Sequence, residues 1–96
     1  MTKPQLYVDF NEMVEPDLVL LSKTNIKIDN NGKEIKLFSG LKILVYMDDL
    51  NDNGEIENLI AEGVVEENKS LGWSSHVKWC CRINNKGIYY ESESKY

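Results

Sequence analysis

One short segment holds the residue types that could bind zinc. It contains the single histidine of the chain, His76, followed by Cys80 and Cys81. In an extended strand, residues four apart are separated by about 13 Å at about 3.3 Å per residue, so His76 and Cys80 cannot reach one ion. No second cluster completes four ligands. We therefore expect no metal here, with the Cys81 thiol in the core and the Cys80 thiol at or near the surface.

The same segment contains hydroxyl groups beside the imidazole. Ser74 and Ser75 immediately precede His76. A catalytic triad requires convergence in space, which neighbouring positions in the sequence do not indicate. The sequence also lacks a Gly-x-Ser-x-Gly elbow and a glycine-rich phosphate loop. We predict that the protein is not an enzyme.

The segment 48–57 is acidic and rich in asparagine and glycine. Asp49, Asn51, Asn53 and Gly54 occupy the first, third, fifth and sixth positions of a pattern that resembles an EF-hand calcium loop. Ile60 occupies the twelfth position, where an EF-hand has a bidentate glutamate. The segment is interpreted as an acidic loop with an Asn-Gly turn between strands. A weak cation site is the alternative, and its ligands would be Asp48, Asp49, Asp52 and Glu57.

Aromatic side chains and loop carboxylates are the candidates for a protein-binding surface. Trp73 falls in a polar loop, and Tyr89 and Tyr90 must point to opposite faces if they lie in a strand. Tryptophan and tyrosine are enriched in protein interfaces. The predicted binding residues are Trp73, Tyr89, Tyr90, Asp48, Asp49, Asp52 and Glu57.

The net charge of the chain is −5, from sixteen acidic and eleven basic residues. This charge repels phosphate backbones, which argues against nucleic-acid binding, and it suits a basic protein partner. A membrane span would need about 20 apolar residues, and no such run or signal-peptide pattern is present. The adjacent cysteines cannot pair easily within a strand, which indicates a reduced, cytoplasmic setting.

Short apolar-polar alternations between turn residues predict an all-β fold. The most apolar run, 41–47, suits a central strand. An Asn-Asn-Gly turn predicts a hairpin over 24–38, and 84–87 predicts a turn that brings 88–90 back against the preceding strand. The predicted core consists of Val8, Ile43, Val45, Val65, Trp79 and Cys81.

The segment after the acidic loop fits two secondary structures. Ile56, Leu59, Ile60 and Gly63 follow a helical stripe, whereas alternate residues over 59–66 fit one face of a strand. We favour a strand, because every other segment is typical of a strand. A short helix near 56–63 is the alternative.

Three segments resemble the strand rhythm of SH3-like small barrels. They are 40–46, which opens with a glycine, 61–65, which reads Ala-Glu-Gly-Val-Val, and 77–79. The resemblance covers residues 35–90 and implies a small barrel, with the N-terminal strand outside it. The aromatic motif of signalling SH3 domains is not recognisable, so proline-rich peptide binding is not implied. The chain also resembles the short acidic proteins common in bacteria.

We predict one domain over residues 1–96, a small SH3-like barrel or rolled antiparallel sheet of about six strands with a frayed tail at 91–96. The predicted function is a non-enzymatic protein-interaction module, monomeric or homodimeric, with a protein partner and no cofactor. A more specific version is an immunity or inhibitor protein for a basic partner. The alternative is a small hydrolase or ligand-binding barrel that uses the carboxylates of 48–57.

Overall fold

The computed structural model describes residues 3–50, 53–70 and 72–93. These ranges form an all-β fold, as predicted, and contain no helix that could cross a membrane. A 3-10 turn, Glu91–Glu93, follows the last strand. The strands are β1 (Gln5–Tyr7), β2 (Met13–Glu15), β3 (Leu18–Ser22), β4 (Ile26–Ile28), β5 (Glu34–Lys36), β6 (Lys42–Leu50), β7 (Ile56–Glu67), β8 (Trp79–Ile83) and β9 (Tyr89–Tyr90).

In the described ranges, seven strands form one sheet in the order β1-β6-β7-β8-β3-β2, with β9 beside β7, while β4 and β5 form a second, two-stranded sheet. The predicted central strand is β6, which lies between β1 and β7. The sheet is mixed rather than wholly antiparallel, because β1 runs parallel to β6. A parallel pair cannot be made by a tight hairpin, and the whole of β2 to β5 lies between these two strands in the sequence.

The large sheet curls around one apolar core. Leu6 and Val8 at one end of the sheet share a buried cluster with Val19 and Leu21 of β3, although three strands stand between β1 and β3 in the sheet order. The small β4–β5 sheet packs on the same cluster through Ile35. The sheet is therefore rolled because its two ends and the β4–β5 hairpin bury their apolar side chains in the same core.

The six predicted core residues meet in or against this cluster. Val8, Ile43, Val45, Val65 and Cys81 are buried, and the partly buried Trp79 packs against them. Strand alternation identified this face correctly, because side chains two residues apart share a face.

The prediction that Cys80 lies at or near the surface is wrong. Cys80 is fully buried in a second cluster on the opposite face, with Leu18 and Leu20 of β3. Val77, from the segment between β7 and β8, completes this cluster. Both faces of β3 and β8 are therefore buried, which alternation within β8 alone does not reveal.

The ambiguous segment forms β7, a single twelve-residue strand. The preference for a strand is confirmed and the helix near 56–63 is wrong. Strand β7 pairs with β6 from Lys42↔Val64 to Leu50↔Ile56. Residues 48–50, predicted within an acidic loop, therefore belong to β6, where ladder hydrogen bonds satisfy the backbone.

The prediction that 84–87 reverses the chain is also wrong. Both β8 and β9 run antiparallel to β7 along the same edge, with Ile83 opposite Gly63 and Tyr89 opposite Ile60. The segment 84–87 therefore forms a loop outside the sheet, and the chain then returns to the same edge of β7 as β9. Of the tail predicted to fray, Glu91–Glu93 instead form the 3-10 turn, and 94–96 lie outside the described residues.

The predicted hairpin around the Asn-Asn-Gly turn is confirmed as β4–β5. Gly32 adopts a positive φ of 81°, which the turn requires. The hairpin pairs Lys27 with Ile35, and Ile26 and Ile28 lie on its other face.

Candidate protein-binding face

A row of tyrosines crosses one face of the large sheet. Strand register pairs Tyr7 with Tyr46, Tyr46 with Ile60, and Ile60 with Tyr89. These four side chains, the tyrosine row, therefore share one face across β1, β6, β7 and β9. The rings of Tyr7 and Tyr46 meet edge to face, with centroids 5.7 Å apart. Tyr7 is 48% exposed, Tyr46 and Tyr89 are partly buried, and Ile60 is buried among them.

The face continues from the tyrosine row to the tip of the β6–β7 hairpin. The next two cross-strand pairs on this face are Asp48 with Asn58 and Leu50 with Ile56. Leu50 is 59% exposed and Ile56 is 79% exposed, so the tip presents an apolar pair to solvent next to an exposed carboxylate. Contiguous exposed apolar surface marks interaction sites. The tyrosine face is defined as Tyr7, Tyr46, Asp48, Leu50, Ile56, Asn58, Ile60 and Tyr89.

Three of the predicted binding residues lie on the opposite face of the hairpin. The Tyr90 hydroxyl donates to the Leu50 carbonyl oxygen at 2.9 Å and lies 3.5 Å from Asp49 Oδ2. The Ser92 amide donates to Glu57 Oε2 at 2.7 Å. Tyr90, Asp49 and Glu57 thus hold the hairpin tip to the 3-10 turn. The prediction that Tyr89 and Tyr90 point to opposite faces is confirmed, since Tyr89 pairs with Ile60 and Tyr90 with the next residue of β7.

Trp73 is exposed and lies in the loop that follows β7, at the opposite end of this strand from the hairpin tip. It is 63% exposed, and its loop is fixed where Asn68 Nδ2 donates to the Ser74 carbonyl oxygen at 2.7 Å. Asn68 follows the C-terminal end of β7, whereas Leu59, the partner of Tyr90, lies near its N-terminal end. Strand pairing does not place Trp73 on the tyrosine face, and Asp52 lies outside the described residues.

The predicted cation ligands that the structure describes are divided between the two faces of the hairpin. Asp48 lies on the tyrosine face, whereas Asp49 and Glu57 lie on the other face of the hairpin. In the ranges that the structure describes, no group of three or more His, Cys, Asp and Glu side chains could hold a metal ion. Asp52, the fourth residue of the predicted cation site, lies outside the described residues, so the cation-site and hydrolase alternatives stay predictions.

Both cysteines are free and buried, on opposite faces of β8. Burial raises the pKa of the Cys80 thiol to about 11 and that of the Cys81 thiol to about 12. A nucleophilic cysteine needs a lowered pKa and access to its substrate. Neither thiol meets these requirements, so both act as core side chains.

The sequence did not reveal an ion-pair cluster around Arg82 of β8. Arg82 Nη1 lies 2.8 Å from Asp17 Oδ1 and 3.0 Å from Glu15 Oε1, and Nη2 lies 2.9 Å from Glu66 Oε1. Its hydrogen bond to Glu66, then that to Glu15, raises the pKa of Arg82, and the same bond to Arg82 lowers the pKa of Glu66. No local pattern could indicate this cluster, because the partners are 16 to 67 residues from Arg82.

We expect Arg82→Met to lower the free energy of unfolding at pH 7 by about 1–2 kcal/mol, a modest value because solvent screens these partly exposed groups. The lowered pKa of Glu66 means that its stabilising contribution is present above its ordinary value of 4.5 and is lost as pH falls through the lowered pKa. The difference between wild type and variant should therefore shrink between pH 7 and pH 3 in urea unfolding. Lys36→Met, at an exposed position of β5, is the control. An equal difference at both pH values would contradict the ion-pair explanation.

Comparison with known proteins identifies no relative: the chain matches no protein-family model, no curated protein and no solved structure. The resemblance to SH3-like barrels therefore stays a prediction from the sequence. Function has to be inferred from the tyrosine face and its surroundings.

Proposed function

We propose that this chain is a non-enzymatic protein-interaction module that binds a protein partner on the tyrosine face. The observation that carries this proposal is the tyrosine row, which continues into the exposed pair Leu50 and Ile56. The row spans four strands, so the rings are held by a rigid sheet and lose little freedom on binding.

The side chains of this face suit an interface. Tyrosine offers a large apolar ring with a polar hydroxyl, and it has few rotatable bonds to immobilise. Burying a leucine or isoleucine side chain contributes about 1.5–3 kcal/mol, so the tip can act as an anchor inside a pocket of the partner. Leu50 and Ile56 lie opposite each other on the hairpin, and one pocket can therefore receive both.

The partner is expected to carry positive charge. The chain has a net charge of −5, and Asp48 is exposed on the same face as the apolar tip. Complementary charge raises the rate of association and disfavours wrong partners. An immunity or inhibitor protein that neutralises a basic partner in the cytoplasm is the more specific form of this proposal, and charge complementarity is what supports it.

Affinity purification with two matched double variants tests the proposal. L50S/I56S removes the exposed apolar pair of the tip, and I26S/I28S removes an exposed apolar pair from the β4–β5 hairpin. We expect a stoichiometric partner to copurify with the wild type and with I26S/I28S. L50S/I56S should weaken binding at least about tenfold, equivalent to about 1.4 kcal/mol. Raising the salt concentration should also weaken binding, because salt screens the charge attraction.

Two results would contradict the proposal. One is recovery of the bare protein alone at every salt concentration. The other is equal loss of the partner in both double variants, which would place the interface elsewhere. Circular dichroism of each variant verifies folding, which should persist because all four substituted side chains are exposed.

A further inference from the structure

The β4–β5 hairpin turns a lysine inward and two isoleucines outward. Lys27 lies directly opposite Ile35, which is buried in the main core, whereas Ile26 and Ile28 are about half exposed. A register shifted by one residue would bury the isoleucines and expose the lysine. Burial lowers the pKa of Lys27, because removal from water disfavours the charged ammonium form. Departures of this kind from the hydrophobic pattern are expected at functional sites.

Lys27 lines an open groove of about 510 Å³ at the meeting point of β1, β3 and the hairpin. This volume falls within the range of small-molecule sites, about 300–1,000 Å³. The groove combines an apolar lining with charged groups of both signs. Its apolar lining residues are Tyr7, Val8, Leu20, Leu21 and Val77, and its charged or titratable residues are Asp9, Glu12, Lys23, Lys27 and His76.

The opposite charges around this groove do not neutralise one another. Within the described residues, Lys27 forms no ion pair, although Asp9 and Glu12 line the same cavity. Asp9 Oδ1 accepts a hydrogen bond from the Asn11 amide at 2.9 Å, which orients this carboxylate. A half-buried ammonium without a carboxylate partner loses hydration and gains no compensating attraction. A ligand that carries its own carboxylate would supply this attraction.

We propose that the groove binds a small zwitterion with an apolar tail, such as a free aliphatic amino acid. The ligand carboxylate pairs with Lys27, and the ligand ammonium pairs with Asp9 and Glu12. The tail contacts the ring of Tyr7, the most exposed of the apolar lining residues. This inference stands on the groove and does not depend on the proposed function, although Tyr7 contributes to both surfaces.

Titration of the ¹⁵N-labelled protein with three matched probes tests the inference. L-leucine carries both charged groups, 4-methylpentanoate lacks the ammonium and isoamylamine lacks the carboxylate. We expect L-leucine to shift the amide signals of Thr24, Lys27 and His76 in a saturable manner. Each singly charged probe should bind at least about tenfold more weakly, because one charge in the groove then stays unpaired.

Two lysine variants of the hairpin complete the test. K27M should weaken L-leucine binding at least about tenfold, whereas K36M, at an exposed position of the same hairpin, should leave it unchanged. K27M removes a half-buried charge and is expected to fold at least as stably as the wild type. The inference is overturned by the absence of a saturable shift at tens of millimolar L-leucine, by equal responses to all three probes, or by equal binding in both variants.

Discussion

Gly63→Ala should destabilise the protein by about 3 kcal/mol or more, although it adds only one methyl group. Gly63 lies inside β7, between β6 and β8, where it pairs with Ile43 and Ile83. A Cβ built at this position lies 2.7 Å from Cys81 Sγ and clashes with the Arg82 carbonyl oxygen. The carbonyl belongs to the backbone and cannot rotate away, so β7 and β8 would have to separate.

Urea unfolding of Gly63→Ala and Gly32→Ala compares the cost of this steric clash with the cost of the backbone conformation that glycine adopts at a turn. Gly32 has open space around its Cβ position but a positive φ of 81°. Gly32→Ala should therefore cost only the conformational penalty of about 1–2 kcal/mol. A cost for Gly63→Ala no greater than that for Gly32→Ala would show that β7 and β8 can accommodate the methyl group.

Leu6→Ala should lower the free energy of unfolding by about 2–5 kcal/mol, because it leaves a cavity in the main core. Leu6 is fully buried and lies in the parallel strand β1 at one end of the curled sheet. The hydrogen bonds that Leu44 N donates to the Pro4 carbonyl and Val8 N donates to the Tyr46 carbonyl fix β1 on β6. The truncation therefore removes packing between β1 and the far end of the sheet, while the backbone hydrogen bonds can persist.

The volume-conserving variant Leu6→Met serves as the control, and it should cost less than about 1.5 kcal/mol. Chemical denaturation with a fluorescence or circular-dichroism signal measures both variants. A loss for Leu6→Ala no larger than that for Leu6→Met would mean that β1 does not contribute to the core as the structure indicates.

Much of the local structure could be predicted from neighbouring residues alone. The Asn-Asn-Gly turn predicts the β4–β5 hairpin, and the apolar run at 41–47 predicts the central strand β6. The opposite directions of Tyr89 and Tyr90 were also predicted correctly. These features depend on turn chemistry and the two-residue period of strands, which short segments contain in full.

The candidate site could be predicted only in part. Tyr89 and Asp48 do lie on the tyrosine face, but Tyr7, Leu50 and Ile56 were not predicted as binding residues. An exposed apolar side chain is not recognisable from the sequence when its strand also supplies the core. Leu50 falls within the predicted acidic loop, and its place on the tyrosine face depends on how far the β6–β7 hairpin extends.

The sequence by itself determined the all-β class and which residues of β6, β7 and β8 face the main core, because a strand places alternate side chains on opposite faces. Tertiary structure alone decided which strands are neighbours. It placed β1 parallel to β6, set β9 on the same edge as β8, packed Cys80 against the distant strand β3 and surrounded Arg82 with carboxylates. The physical reason is that alternation of apolar and polar residues specifies which face of a strand is buried but does not specify which strand pairs with it. Partners are selected by the packing and hydrogen bonding of segments far apart in the chain.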